Sequence, residues 1–346
     1  MSMVQSAAIS VDGVMAISYV PFTPQLVPTN ESFSGSVHAA GPECRVFQRC
    51  NLFFKLYMQL CLKTNMITLN IGHFYGSWKI LERRLLKNII NVNKITRSKS
   101  TKNPNKVDFS KWKDSWWDED NPKHLLHLYN PLRVKFIKDG LANAGFKMQN
   151  SNFPLEGIKI MDVGCGGGIL TESLAKLGAQ VTGIDPSAEL IDVAKEHVKL
   201  NSNISQRINY LQTTAEDFVQ KERETYDAVI TCEVLQYVPD PQLFLKECAK
   251  MVKPGKSIFV MTINKTFTSW LSAIVACEYI FGRIPRGTFD WNKFVPSHEV
   301  QRTLENYGFE VKSIVGVSFN PLTKRFSWST NTLTLYGLHA IKQKEL

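Results

Sequence analysis

The sequence predicts an α/β fold with a mostly parallel sheet of seven strands, an N-terminal helical cap and a C-terminal antiparallel hairpin. From about residue 108 onward, short apolar runs alternate with stretches of helical periodicity. This alternation is typical of parallel strands joined by helices that cover both faces of a sheet. No helical pattern separates the last two apolar runs, so those two strands are expected to pair as a hairpin.

Seven apolar runs are the strand candidates, and helical stretches such as ILTESLAKLG and AELIDVAKEHVKLN connect the first five. The runs lie at 158–164, 180–185, 208–213, 226–232, 256–263, 309–317 and 332–341. Ahead of the first strand, residues 112–145 predict one or two helices that pack their aromatic side chains inward as a lid or brace.

The charge of the chain is concentrated in one segment. The net charge is +10, but residues 66–107 alone carry nine Lys and Arg against one acid, Glu82. Residues 108–346 are almost neutral. A nucleic-acid-binding face is expected within a folded domain, so this distribution argues against nucleic acid as a partner.

The basic segment, residues 66–107, is poor in acids and amphipathic across WKILERRLLKNII. These features predict a mitochondrial targeting segment; the alternative is a basic surface helix that binds anionic lipid. Met66 could serve as an alternative start, which would leave residues 1–65 as a poorly ordered extension before the folded domain, 108–346.

The seven cysteines include no C-x-x-C pair, so neither a disulfide framework nor a zinc site is implied.

A glycine-rich loop, D-V-G-C-G-G-G, follows the first predicted strand and contains Asp162, Gly164 and Gly166. Glycines let the backbone turn sharply and approach a ligand closely. Asp185, at the end of the second strand, is placed to accept hydrogen bonds from a ribose diol. Position 169 is Ile rather than the third small residue of a dinucleotide fingerprint. The loop therefore favours S-adenosylmethionine over NAD, and Glu216, after the third strand, is expected near the adenine.

The stretch CEVLQYVPD follows the fourth predicted strand. If a helix begins here, Glu233, Gln236 and Tyr237 share one face and point beyond the strand end. These residues are candidates for catalysis, or for a metal site if the remaining ligands suit it.

The order of these motifs resembles the Rossmann-like class I S-adenosylmethionine-dependent methyltransferases. Four further stretches narrow the resemblance to the ubiquinone-biosynthesis O-methyltransferases: 115–137 with N-P-L-R, 262–294 with T-I-N-K-T, 315–329, and 331–340. The resemblance implies methyl transfer to a ring hydroxyl of a polyprenylated dihydroxybenzene. It also implies partners in a biosynthetic complex on the matrix side of the inner mitochondrial membrane.

Carried over residue by residue, the resemblance places cofactor contacts at Arg133, Gly164, Asp185 and Cys232. A fixed guanidinium at Arg133 can hold the methionine carboxylate, and the alternative for this residue is a surface salt bridge. His127 and His339 also lie in family-like contexts, and a structural role is favoured for both.

The family usually has E-x-x-E-H at the end of the fourth strand, where the two Glu and the His are taken to bind Mg²⁺. This chain keeps Glu233 but has Gln236 and Tyr237, and a second departure puts Phe289 where the family usually has His. Mg²⁺ prefers carboxylate oxygens, so metal binding is expected to be weak. Glu233 is then a candidate base, and Tyr237 is a candidate to orient the ring hydroxyl.

Two alternatives to an active quinone-pathway enzyme follow from these departures. One is a cofactor-binding relative that serves as a structural member of the complex, and the other is a methyltransferase for another small phenol.

The apolar run 270–282 is too short to span a bilayer. It predicts either a helix at the membrane interface or a buried cap over the site.

Overall fold

The computed structural model describes residues 115–118, 125–148, 150–320 and 323–344. Within this part of the chain, eight strands form one sheet in the order β3-β2-β1-β4-β5-β8-β6-β7. The predicted extension at 1–65 and the predicted targeting segment at 66–107 lie outside the described residues.

The parallel half of the sheet contains the first five strands, and all five were predicted. β1 pairs with both β2 and β4, β2 pairs with β3, and β4 pairs with β5, each in parallel. The strands are β1 Lys159–Val163, β2 Gln180–Asp185, β3 Ile208–Gln212, β4 Tyr226–Cys232 and β5 Val252–Ile263.

In the part of the chain that the structure describes, five α-helices of eight or more residues accompany the sheet. They are α1 Leu125–Asn143, α2 Ile169–Lys176, α3 Ala188–Val198, α4 Pro241–Met251 and α5 Ser297–Asn306. Single helical turns lie at Ser202–Ser205, Ala215–Phe218, Phe267–Ser269 and Trp291–Lys293. α1 is the described part of the predicted N-terminal cap.

The C-terminal half of the sheet contains one strand more than predicted. β6 (Phe309–Asn320) and β8 (Leu335–Lys342) pair antiparallel as expected, and β8 also pairs antiparallel with β5. The extra strand, β7 (Arg325–Ser329), forms the outer edge against β6. The sheet therefore has eight strands rather than seven.

The two faces of the sheet bury separate hydrophobic clusters. Ile160 and Phe259 point toward a cluster that includes Ile137 and Leu141 of α1, whereas Met161 and Ile258 join a cluster with residues of α4 and α5. Successive residues of a strand face opposite sides of the sheet, so Ile160–Val163 of β1 and Ser257–Ile263 of β5 are buried on both faces. This arrangement agrees with the prediction of helices on both faces.

The predicted helix at Glu233 is absent from the structure. The backbone turns tightly after β4, and α4 begins only at Pro241. The side chain of Asp240 accepts hydrogen bonds from the backbone N–H groups of Gln242 and Leu243, which caps the helix. Proline is favoured at the first helical position. The sequence Pro239-Asp240-Pro241 therefore starts the helix later than the spacing of Glu233, Gln236 and Tyr237 predicted.

The apolar run 270–282 forms a π-helix over Trp270–Ile280. Most of its side chains are half-buried, and Ala273 and Glu278 are fully buried. π-Helical turns are uncommon and are found frequently at functional sites. Among the residues that the structure describes, no helix is both long and apolar enough to cross a bilayer.

Candidate active site

A cavity of about 1230 Å³ opens where β1, β2, β4 and β5 end. Ligands in open α/β sheets bind at this edge, beside the point where the strand order reverses, which here lies between β1 and β4. All ten residues predicted for the site line this one cavity: Arg133, Asp162, Gly164, Gly166, Asp185, Glu216, Cys232, Glu233, Gln236 and Tyr237.

The glycine loop needs glycine at Gly164 for two reasons. Its φ of 79° lies in the left-handed region, which costs a residue with a Cβ about 1 kcal/mol or more. A Cβ at this position would also lie 2.3 Å from Cγ2 of Val234. The loop thus passes close to the turn after β4, and the two chain segments together form the floor of the cavity.

Asp185 closes the glycine loop from β2. Its Oδ2 accepts a hydrogen bond from Gly166 N at 3.0 Å, and its Oδ1 accepts one from Ser187 N at 2.9 Å. Burial raises the pKa of this carboxyl group, although both backbone donors favour the charged form. Each carboxylate oxygen can accept a second hydrogen bond, so Asp185 retains the capacity to bind a diol.

Asp162 is buried beneath the loop and accepts a hydrogen bond from Oγ1 of Thr171 at 2.6 Å. Burial raises the pKa of Asp162 to about 6. Because Thr171 lies in the first turns of α2, this contact ties the end of β1 to the helix that follows the loop.

Arg133 lies on α1 with only 4% of its surface exposed, so the alternative of a surface salt bridge is wrong. Its Nη2 donates to Oδ1 of Asn130 at 2.9 Å, and its guanidinium lies over the ring of Tyr129. Its buried Nε has no hydrogen-bond partner among the described residues. A buried guanidinium with unused donors, lining a cavity, is suited to bind a carboxylate.

Glu233 is the carboxylate at the end of β4. Its backbone has φ 59°, an uncommon conformation for a residue other than glycine. Its Oε2 accepts a hydrogen bond from Nε2 of Gln236 at 3.2 Å, whereas Oε1 is buried without a partner among the described residues. Burial raises the pKa of Glu233 to about 7, against the opposing effect of the Arg133 charge.

The residues beside Glu233 fit a Mg²⁺ site poorly. The amide oxygen of Gln236 accepts a hydrogen bond from Oγ1 of Thr262 at 2.8 Å, which occupies it within the fold. The phenol of Tyr237 stays protonated, because burial raises its pKa. The described residues contain no group of three or more His, Cys, Asp or Glu side chains that could hold a metal ion. The single carboxylate of Glu233 offers a hard divalent cation fewer charged oxygens than the two carboxylates of the usual family motif.

Glu216 and Cys232 line the cavity in different environments. Glu216 is exposed on the single turn after β3, and Cys232 is buried at the end of β4. Burial raises the pKa of the Cys232 thiol, so this residue contributes a neutral surface rather than a nucleophile.

One part of the cavity lining, called the apolar wall below, is largely apolar. Ala273, Ala276 and Cys277 of the π-helix line it, together with Phe289 and Phe326. Glu278 links the π-helix to the loop that carries Phe289. Its carboxylate accepts hydrogen bonds from Gly287 N at 2.8 Å and from Phe289 N at 2.7 Å. Sequence reasoning did not single out Glu278, because a lone acid in an apolar run gives no spacing signal.

The two family-like histidines have structural contacts. His339 is buried, stacks on Phe259 and is hydrogen-bonded through Nε2 to Oγ of Ser257 at 3.0 Å. Burial lowers its pKa to about 4. His127 Nε2 lies 2.9 Å from the backbone oxygen of Trp116. Trp116 itself lines the cavity and was missed as a site residue, although it lies within 115–137, one of the stretches that carry the family resemblance.

Comparison with known proteins places this site in a family. Residues 161–260 match the family described as Methyltransferase domain. The chain is 40% identical over 230 residues to the mitochondrial ubiquinone biosynthesis O-methyltransferase of Rattus norvegicus, covering 66% of each chain. It is 39% identical over 244 residues to the protein of that name in Dictyostelium discoideum, covering 68% of this chain and 76% of that one.

The chain belongs to the ubiquinone biosynthesis O-methyltransferase family. A bacterial member, from Pseudomonas savastanoi pv. phaseolicola, is 39% identical over 228 residues, which are 66% of this chain and 92% of the relative. The matched part of the chain spans slightly less than two thirds of the length of the mammalian members, 66% in the rat and 62% in the human protein.

Proposed function

We propose that this chain is an S-adenosylmethionine-dependent O-methyltransferase that methylates a ring hydroxyl of a polyprenylated dihydroxybenzene in ubiquinone biosynthesis. The observation that carries the proposal is one cavity in which a glycine loop with Asp185, the partly unpaired guanidinium of Arg133 and the unpaired Oε1 of Glu233 all meet. Membership of the family supports the substrate class.

The cofactor side of the cavity has a suitable residue for each charged or polar part of S-adenosylmethionine. Asp185 would accept hydrogen bonds from the ribose hydroxyls, and Arg133 would bind the methionine carboxylate. Glu216 lies where the adenine would be held. When bound, the sulfonium supplies a methyl group that is already activated for transfer. The protein therefore has to align the acceptor oxygen and remove its proton.

Glu233 is the residue best suited to remove that proton. Its pKa of about 7 is close to the working pH, which is the range in which a general base is most effective. Glu233 is held by Gln236, and Gln236 is held by Thr262, so the carboxylate is fixed without a metal ion. The neutral phenol of Tyr237 also lines the cavity, where it would orient the acceptor ring.

The apolar wall suits the substrate class. A catechol with a prenyl tail combines two polar oxygens with a large apolar surface, and the tail would lie against the π-helix and the aromatic side chains of β6 and β7. Burial of apolar surface contributes roughly 25 cal/mol per Å², so such a tail would add much of the binding free energy.

Half-buried Trp270 and exposed Phe281 support a contact of the π-helix with the inner-membrane surface.

The proposed location is the mitochondrion, on the matrix side of the inner membrane, together with other proteins of the ubiquinone-biosynthesis complex. Two observations support it: the basic, acid-poor segment at 66–107 and the word mitochondrial in the names of the eukaryotic relatives. A prenylated substrate that partitions into the bilayer is consistent with this location.

Methyl transfer from labelled S-adenosylmethionine to a short-chain prenylated catechol tests the proposed function. The full chain is compared with a double variant, Gln236→Glu with Tyr237→His, which restores the usual family motif. Turnover by the unmodified chain is the expected result. Cofactor binding with turnover only in the double variant would contradict the proposal.

A second candidate function is that of a cofactor-binding structural member of the biosynthetic complex. Gln236 and Tyr237 favour it, because they replace the carboxylate and imidazole of the usual motif. Turnover of the prenylated catechol by the unmodified chain would exclude this candidate, and a preference for unprenylated phenols would point to another small substrate.

Methyl transfer by the unmodified chain is expected to resist chelation. Because Glu233 is the one carboxylate among Glu233, Gln236 and Tyr237, the rate with excess EDTA should remain above about half of the rate with added Mg²⁺. The double variant that restores the family motif serves as the control and should lose most of its activity with EDTA. Abolition of the activity of the unmodified chain by EDTA would contradict this expectation.

Replacing Glu278 with alanine is expected to raise KM for the prenylated catechol about tenfold, because two backbone donors of the apolar wall lose a charged acceptor. KM for S-adenosylmethionine should change by less than about twofold, since Gly287 and Phe289, which Glu278 holds, are not among the residues proposed to bind the cofactor. Steady-state kinetics in both substrates measures this difference. Glu305→Ala, on the exposed face of α5, is the matched control, and equal changes in both KM values would refute the assignment.

A further inference from the structure

The glycine loop is covered on its outer side by two consecutive tryptophans. The indole of Trp116 lies directly on the loop, since a Cβ at Gly167 would come within 2.3 Å of its Cδ1. Nε1 of Trp117 donates a hydrogen bond to the backbone oxygen of Gly167 at 3.0 Å. Trp116 also lines the cavity, so the position of this pair determines the shape of the cofactor side.

His197 packs against the indole ring of Trp117. The imidazole and the indole are stacked in parallel, with ring centroids 3.4 Å apart and an interplanar angle of 2°. His197 lies in the last turn of α3, outside the lining of the cavity. Its stacking on Trp117 therefore connects it to a cavity that it does not line itself.

His197 is in turn fixed by Glu172. Its Nδ1 lies 2.7 Å from Oε1 of Glu172, whose side chain is only 1% exposed. Glu172 is in the first turn of α2 and His197 is in the last turn of α3. These are the helix ends at which a negative and a positive group, respectively, are favoured by the helix dipole. The pair therefore links the two helices that follow β1 and β2.

These contacts form one continuous series from Glu172 through His197 and Trp117 to the backbone of Gly167. We propose that His197 is a positioning residue for the cofactor: by stacking on Trp117 it holds the tryptophan pair against the glycine loop and so sets the affinity for S-adenosylmethionine. This inference rests on the cofactor part of the proposed function and is independent of the methyl acceptor.

Two substitutions of His197 separate the effect of its stacking on Trp117 from the effect of its contact with Glu172. His197→Phe keeps an aromatic ring for Trp117 but loses the contact with Glu172. His197→Asn keeps a polar group near Glu172 but loses the stack. Trp117→Phe keeps the stack but removes the hydrogen bond to Gly167, and it provides a second test if His197→Asn does not fold.

Titration calorimetry of the full chain with S-adenosylhomocysteine, without any acceptor, tests the inference. His197→Asn should weaken binding about tenfold and Trp117→Phe about fivefold, whereas His197→Phe should stay within about threefold of the unmodified chain. Glu196→Ala, at the exposed neighbouring position, is the matched control. Thermal melting of each variant separates loss of stability from loss of affinity.

Unchanged affinity in His197→Asn, or in Trp117→Phe if the former does not fold, would overturn the inference. Equal weakening by Asn and Phe at position 197 would also overturn it, because the stack would then have no role. Absence of methyl transfer to a prenylated catechol, with these binding differences intact, would refute the proposed acceptor and leave the role of His197 in place.

Discussion

Replacing Glu233 with glutamine is expected to reduce kcat for methyl transfer by about a thousandfold, the range typical of a lost general base. The substitution keeps the shape of the side chain and an oxygen that can accept from Gln236, but it removes the group that takes the proton. Affinity for S-adenosylhomocysteine should change by less than about threefold, since the glycine loop and Asp185 are untouched. Single-turnover assays and calorimetry measure the two quantities separately.

The pH dependence provides an independent check on Glu233. A base is active only when ionised, so the rate should fall as the pH drops through about 7, the pKa of this group. Tyr237→Phe is the matched variant, since it removes a neighbouring polar group and leaves the carboxylate; it should cost at most about tenfold and keep the same pH profile. An active Glu233→Gln enzyme with an unchanged pH profile would eliminate Glu233 as the base.

Substituting Asp185 with alanine is the second change with a large expected effect, a loss of about a hundredfold to ten-thousandfold in affinity for S-adenosylhomocysteine. Two charge-assisted hydrogen bonds to the ribose would be lost, and each contributes about 1.5–3 kcal/mol. The glycine loop would also lose the acceptor for Gly166 N. Titration calorimetry measures the affinity, and thermal melting measures how much of the change comes from the loop.

Asp192→Ala is the matched control for Asp185, because Asp192 is an exposed carboxylate on the neighbouring helix α3. The control should bind S-adenosylhomocysteine as the unmodified chain does. A lower melting temperature in Asp185→Ala with unchanged affinity would mean that this carboxylate shapes the loop and does not contact the ribose.

Four strands of the parallel half, β1, β2, β4 and β5, were predictable because their buried residues face both sides of the sheet and therefore appear as continuous apolar runs. β7 was missed for the opposite reason: Arg325–Ser329 is a short edge strand, and none of its described side chains is fully buried. Such a strand gives a weak pattern, and only its pairing with β6 reveals it.

The turn at Glu233 shows why spacing alone was misleading at the site. Polar residues at i, i+3 and i+4 share one face of a helix, but a tight turn brings the first and fourth residues together as well, as the contact between Glu233 and Gln236 demonstrates. The better signal was Asp240 before Pro241, the combination of cap and first residue that starts α4. The pairing of Glu172 with His197 had no local signal, since 25 residues separate the two.

The left-handed backbone at Glu233 has a consequence for how this chain can change over generations. Glycine adopts φ near 59° without a steric penalty, and it would also remove a buried carboxylate. Selection for stability alone would therefore favour glycine at this position. Under the proposed role of Glu233 as the base, a lineage released from catalysis is expected to lose this carboxylate early, and the residue at position 233 in natural variants would record whether that base is still under selection.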